Sequence, residues 1–201
     1  MANRGLFKVG SAIATVVAVS SAIAISPAIA QTPAPNCQPR PTSSAPSNPT
    51  QGWQDCTSHE GRFAIAMPGQ PTPSVQPLSL PTGMAQMHML ILDDETSAYF
   101  VAYNDYPNEL IKNADLNAIA AVLERAPNFF IEGAKASLIG SRQISLQGNP
   151  GRAFEFRLPE GVNGKGRVYW VNNRLYQIIA ASPDSQAVDA FLNSFRLVDA
   201  Q

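Results

Sequence analysis

Arg152-Ala-Phe-Glu-Phe-Arg-Leu158, a glycine-rich turn, Arg167-Val-Tyr-Trp-Val171, Asn172-Asn173 and Arg174-Leu-Tyr-Gln-Ile-Ile-Ala-Ala181 form the stretch that decides the fold. Three runs rich in aromatic and β-branched residues, parted by turn residues, spell a β-meander. Asn172-Asn173 is a two-residue loop, and Asn tolerates the positive φ that a type I′ hairpin turn demands. That loop sets the register: Trp170 faces Leu175, Tyr169 faces Tyr176 and Val168 faces Gln177. Apolar residues then lie on both faces, as in the middle of a covered sheet. Val168, Trp170, Leu175 and Ile179 are expected on one face at its centre, and Phe154 and Phe156 are expected to share a face.

Upstream of the meander, residues 63–67 alternate as a strand that Pro68-Gly69 ends. Residues 70–81 are proline-rich and read as a loop lying over a sheet edge. Residues 84–92 form the next strand, with Met87, Met89 and Ile91 on one side and Gln86, His88, Leu90 and Leu92 on the other. The acidic turn Asp93-Asp94-Glu95 leads into a third strand, residues 97–103. Leu116, Ile119, Ala120 and Leu123 then follow the i, i+3, i+4, i+7 spacing of an amphipathic helix with Asn113 as its N-cap. Pro127 is expected to kink or restart that helix, and Gly133 to stop it. A fourth strand, residues 136–146, enters the meander through Gly148-Asn149-Pro150-Gly151. Ser182-Pro183 reads as an N-cap followed by proline at the first helical position, opening a helix whose stripe is Val188, Phe191, Leu192 and Phe195. The order β-β-β-α-β-β-β-β-α makes this an α+β chain, an antiparallel β-sheet flanked by helices in an α/β/α sandwich.

The amino terminus has Arg4 and Lys8, an apolar and small-residue run over residues 9–25, and Ala28-Ile29-Ala30. Those are the three parts of a signal peptide, residues 1–30, expected to be cut after Ala30; the alternative is an uncleaved membrane anchor, for which the Ser and Ala content is weakly hydrophobic. Residues 31–52 are rich in Pro, Ser, Thr and Asn and read as a disordered tether. Residues 53–201 are expected to form a single globular α+β domain. Removal of the leader leaves a mildly acidic chain without a basic stripe, which argues against nucleic acid and against an anionic membrane surface as partner; no integral membrane insertion is expected once the leader is cut. The expected location is the periplasm or the thylakoid lumen, with secretion as the alternative. Cys37 and Cys56, the only cysteines, then suit a disulfide.

The motifs of catalysis and cofactor binding each fail on residue type or spacing. There is no G-x-S-x-G nucleophile elbow. Gly161-Val-Asn-Gly-Lys-Gly166 lacks the spacing of a phosphate loop and sits between two strands. Glu155 and Glu160 are a carboxylate pair of the kind found by chance. Strand alternation sends Met87 and Met89 away from His88, so the three do not converge on a soft metal. The chain reads as a non-enzyme with no cofactor.

Gly61-Arg-Phe-Ala-Ile-Ala-Met-Pro-Gly69, Gly148-Asn-Pro-Gly-Arg-Ala-Phe-Glu-Phe156 and Phe191-Leu-Asn-Ser-Phe-Arg-Leu197 together resemble the PsbP-like family of small exported domains, best known from extrinsic proteins of photosystem II. The resemblance spans residues 61–197. It implies an antiparallel sheet between helices and a binding or assembly role rather than catalysis. The opening motif continues Gln70-Pro71, without the Trp that the photosystem proteins often carry after that proline. This departure implies a bacterial relative rather than a photosystem subunit. The expected function is that of a non-catalytic accessory or assembly domain, binding an unidentified membrane or exported protein at a membrane surface. The alternative is an exported enzyme or small-ligand carrier with a pocket on the sheet. For the docking reading, the candidate surface is formed by loops 103–113 and 160–166, with Tyr106 and Leu110 as contacts; the competing reading packs both residues under the helix.

Overall fold

A computed structural model describes residues 34–40, 50–80, 83–107 and 116–198. The meander is its centre. Strand β10 (Arg174–Ala181) pairs with β9 (Asn163–Val171) in the register read from the sequence, Trp170 opposite Leu175 and Tyr169 opposite Tyr176. Five more strands complete an all-antiparallel sheet of seven: β4 (Thr72–Leu80), β5 (Gly83–Asp93), β6 (Ala98–Asp105), β7 (Ser137–Leu146) and β8 (Asn149–Arg157). Their spatial order is β4-β5-β6-β10-β9-β8-β7.

Each face of that sheet carries its own core, because successive side chains alternate across a strand. Helix α1 (Leu116–Gly133) covers one face, packing on β8 and β9. Beneath it lie Met89, Phe100, Phe154, Phe156, Val168, Trp170, Leu175 and Ile179. This is the face expected from the alternation, and Phe154 and Phe156 share it. Helix α2 (Ser185–Ser194) covers part of the other face, packing on β9 and β10. There Tyr99, Tyr103, Tyr169, Tyr176, Phe191 and Phe195 are buried.

The fold is therefore α+β as expected, but the α2 side also holds a second sheet. Strands β1 (Asn36–Pro39), β2 (Gln54–Ser58), β3 (Phe63–Met67) and β11 (Arg196–Leu197) pair in the order β1-β2-β3-β11. Residues 36–39 lie inside the stretch whose composition reads as a disordered tether. Pairing with β2 and a covalent bond order these four residues, which composition alone does not register. The signal-peptide residues and residues 41–49 lie outside the described residues.

Several local expectations need correcting. Residues 72–80 form a strand, not a loop: β4 is an edge strand, where the missing N–H of Pro73 and Pro77 can face away from the ladder. Helix α1 runs unbroken through Pro127, although an interior proline removes one hydrogen bond and costs about 3 kcal/mol or more in an isolated helix. Pro127 is itself buried with Leu123, Ala126 and Phe130, and that packing holds the helix together. Gly133 ends the helical run, but the left-handed position is Lys135 (φ 52°). Ala136 N–H donates to the Ile131 carbonyl (2.9 Å) and Lys135 N–H to that of Glu132 (3.1 Å), the two bonds of a Schellman cap. The cap of α2 is Asp184 rather than Ser182. Its Oδ1 accepts from the N–H groups of Gln186 (2.9 Å) and Ala187 (3.2 Å). Ser182 Oγ instead accepts from Asp184 N–H (3.1 Å) and lies 2.9 Å from Ser97 Oγ. At the Asn172-Asn173 loop only Asn172 has positive φ, so the turn is not type I′. Gln147 (φ 49°) and Gly148 (φ 81°), between β7 and β8, do meet that requirement. Asn149-Pro150-Gly151 consequently already belongs to β8.

Candidate functional site

Helix α2 packs on β9 and β10, and beyond it the part of β7 and β8 around Gly140, Arg142 and Glu155 is open on that side, while Ile144 and Leu146 at the far end of β7 pack against the α2-side core. The step from α2 down to the open strands makes a groove of about 280 Å³. Its floor is made of small residues, Gly140 on β7, Ala153 on β8 and Gly166 on β9, and its wall carries Asp189 and Leu192 of α2. Gly166 is small for a packing reason: a Cβ there would overlap the ring of Phe154, as one at Gly164 would overlap Phe156. Both rings cross under β9 from the α1 side, where glycine allows close approach. At Gly140 the β7–β8 register shifts, and the bulge bends the strand at the groove mouth.

Charge lines this floor. Arg142, Ala153 and Arg167 lie in one cross-strand row, and Gly140, Glu155 and Lys165 in the next. Lys165 Nζ pairs with Asp189 Oδ1 at 2.7 Å. Arg167 is pinned to the end of α2, donating to the Leu192 carbonyl (3.0 Å) and Asn193 Oδ1 (2.6 Å), where a helix carboxyl terminus favours a cation. Arg142 has no hydrogen-bond or ion-pair partner among the described residues. Burial raises the Tyr169 phenol above its ordinary range, with Arg167 and Arg142 pulling the other way. The groove's one hydroxyl, that of Ser141, accepts from Arg152 Nη1 at 2.8 Å. No His or Cys lines the groove. The arrangement offers a shaped floor and charge, which is a means of recognition.

A second polar cluster lies where β5, β6 and β10 meet the turn before β3. His88 stacks flat on Tyr103 (4.7 Å between centroids, 6° between planes) and its Nδ1 is 3.6 Å from Glu60 Oε1. Arg174 lies 4.5 Å over the same ring, forks onto both oxygens of Asp105 (2.6 and 2.8 Å), and donates to the Glu60 carbonyl (2.7 Å). Burial pulls the Arg174 guanidinium down, but Asp105 more than offsets it, so the group is held above its usual value. Tyr103 is raised, first by burial and then by Glu60. This cluster stitches the turn at Glu60 to the main sheet. Among the described residues no group of His, Cys, Asp and Glu gathers to hold a metal ion.

The residues singled out in the sequence fall in different places. Cys37 and Cys56 are joined, 2.06 Å between sulfurs, as directly opposed residues of β1 and β2. Tyr106 is half-buried with its ring 4.9 Å from that of Trp170, and its N–H donates to the Asn173 carbonyl (2.8 Å). It packs at the margin of the α1-side core. Leu110 lies outside the described residues, as do residues 108–115 and hence the Asn113 cap. Of the loop expected over residues 160–166, residues 163–166 belong to β9. Lys165 and Gly166, at the end of that stretch, line the groove, but its charged residues Arg142, Arg167 and Asp189 were not singled out. Arg142, Arg167 and Asp189 come from three elements, and only the register and the bulge bring them together.

No family model matches the chain, and no curated protein matches it. Among solved structures, the chain is similar to the solution structure of cyanobacterial PsbP (CyanoP) from Synechocystis sp. PCC 6803. The likeness has a TM-score of 0.50 and covers 72% of this chain and 92% of that one. The fold is PsbP-like. At 12% identity the similarity carries the PsbP-like architecture and assigns no functional residue.

Proposed function

We propose that this chain is an exported, non-catalytic accessory domain that docks on another protein at a membrane surface, in the periplasm or a thylakoid lumen. The observation that carries the reading is the groove beside α2. It is open, floored by glycine and alanine, and edged by charged side chains, of which Arg142 and Glu155 have no partner among the described residues. Both cores of the sheet are filled by aromatic and branched side chains, so the open strip of β7 and β8 is the concavity a partner can use. Recognition on a rigid scaffold needs shape and charge, without an activated nucleophile. The PsbP-like fold supports an accessory role, and the Cys37–Cys56 bond suits an oxidising compartment. No helix among the described residues is long and apolar enough to cross a membrane.

The test is binding of the purified chain to washed host membranes. Saturable binding that disappears after the membranes are treated with protease is expected. Binding that survives protease, or turnover of a small substrate lost with one groove side chain, would overturn the proposal.

A further inference from the structure

The two edges of the seven-stranded sheet differ. On β4, Pro73 and Pro77 interrupt the row of backbone donors that another strand would use. The other edge, β7, has ten residues, no proline and one charge, Arg142. Seven of the ten, residues 137–143, are exposed along an unbroken run, and Leu138 (45% exposed) and Ile139 (59%) show apolar surface at one end. An edge of that kind is a template for strand addition.

A second copy of the chain is a poor occupant. The midpoint of β7 falls between Ser141 and Arg142, so two copies paired about a two-fold axis in full overlap bring their Arg142 side chains face to face or side by side. Like charges opposed across a strand pair are destabilising. The same arginine favours a carboxylate. Arg142 lies one row-mate from Arg167, about 10 Å away across two strand spacings, with Ala153 between them. Asp189 is already taken by Lys165, and Arg167 by the end of α2. Arg142 and Glu155 stay without a partner among the described residues, and of the two only Arg142 stands on the edge strand, where it meets an incoming charge.

We propose that β7 receives an extended acidic segment of a partner protein as one further strand of the sheet. Main-chain bonds to the free edge supply affinity, a carboxylate on the groove side pairs with Arg142, and apolar side chains meet Leu138 and Ile139. This rests on reading the groove as a docking surface and names the chemistry of its occupant.

A phage-displayed library of short random peptides, selected on the purified full chain, tests it. Enriched peptides are expected to carry β-branched residues in alternation with a central Asp or Glu, and to slow hydrogen exchange in β7. Arg142→Glu should weaken them by at least about tenfold, the effect of losing one close charge pair, and Arg142→Lys should recover part of that loss. Selection on the Arg142→Glu chain should favour Lys or Arg at the same place. Lack of enrichment, protection of a face away from β7, or binding indifferent to Arg142→Glu would overturn the proposal. So would concentration-dependent protection of β7 in the chain alone, which would mean that a second copy is the occupant. A membrane partner that protects another surface would remove this proposal and leave the docking function standing.

Discussion

Lys135 shows how much a single backbone position can carry. It occupies the left-handed position that closes α1, with φ of 52°, and both bonds of the cap depend on it. A side chain there costs roughly 1–2 kcal/mol in Cβ contacts that glycine avoids. Lys135→Gly should therefore raise stability by roughly 0.5–1 kcal/mol, after the greater freedom of glycine in the unfolded chain is subtracted. Denaturant unfolding of the two proteins checks this, and an unchanged or lower midpoint would count against the cap. The sequence pointed to Gly133 because glycine is the usual stop signal, and nothing local marks a lysine for that geometry. Gly164 and Gly166 misled in a related way. Glycine reads as turn punctuation, whereas here it clears space under a strand for Phe156 and Phe154.

At the scale of elements, hydrophobic alternation and loop length were enough to read the β9–β10 hairpin, its register and the sorting of side chains to two faces. Helix α2 was legible from Val188, Phe191, Leu192 and Phe195, though its cap lies two residues later. Strand β4 was not legible, because Pro73 and Pro77 break a strand pattern everywhere except at an edge, and position in a sheet is not written locally. Strand β1 was hidden in a polar, proline-rich stretch and depends on one covalent bond. That bond closes a loop between residues 19 apart, for which chain entropy gives about 3 kcal/mol. Replacing Cys37 and Cys56 by Ser should lower stability by roughly 2–3 kcal/mol. Hydrogen exchange should rise in β1 and β2 while β6, β9 and β10 stay protected. Simultaneous loss of protection in the large sheet would mean that the small sheet is integral to it.

For the whole molecule, the two cores have different chemistry. Four of the five tyrosines, Tyr99, Tyr103, Tyr169 and Tyr176, belong to the α2-side core, and Tyr106 packs on the other. Burial is the leading cause that raises every one of these phenols above 10.0. A folded-state pKa above the unfolded value means that the fold favours the neutral phenol. The associated stability is complete below pH 10 and is lost as pH rises through the folded values. Phenolate absorbance should therefore appear above pH 10, together with cooperative loss of structure. Phenolate forming near pH 10 in an intact fold would contradict the burial of these rings. The groove belongs to this scale too. Its residues come from β7, β8, β9 and α2, so fold class could be read from the chain while the site could not.

The central claim is that the open strip beside α2 is where a partner protein sits. A photoreactive side chain placed at Gly140, where an added Cβ meets nothing within 4 Å, reports on it inside the host cell. The same group at Ser79, exposed on the opposite edge strand, is the control. Illumination is predicted to give a covalent adduct with one other exported or membrane protein from Gly140 and none from Ser79. No adduct from Gly140, or the same set of adducts from both positions, would contradict the account.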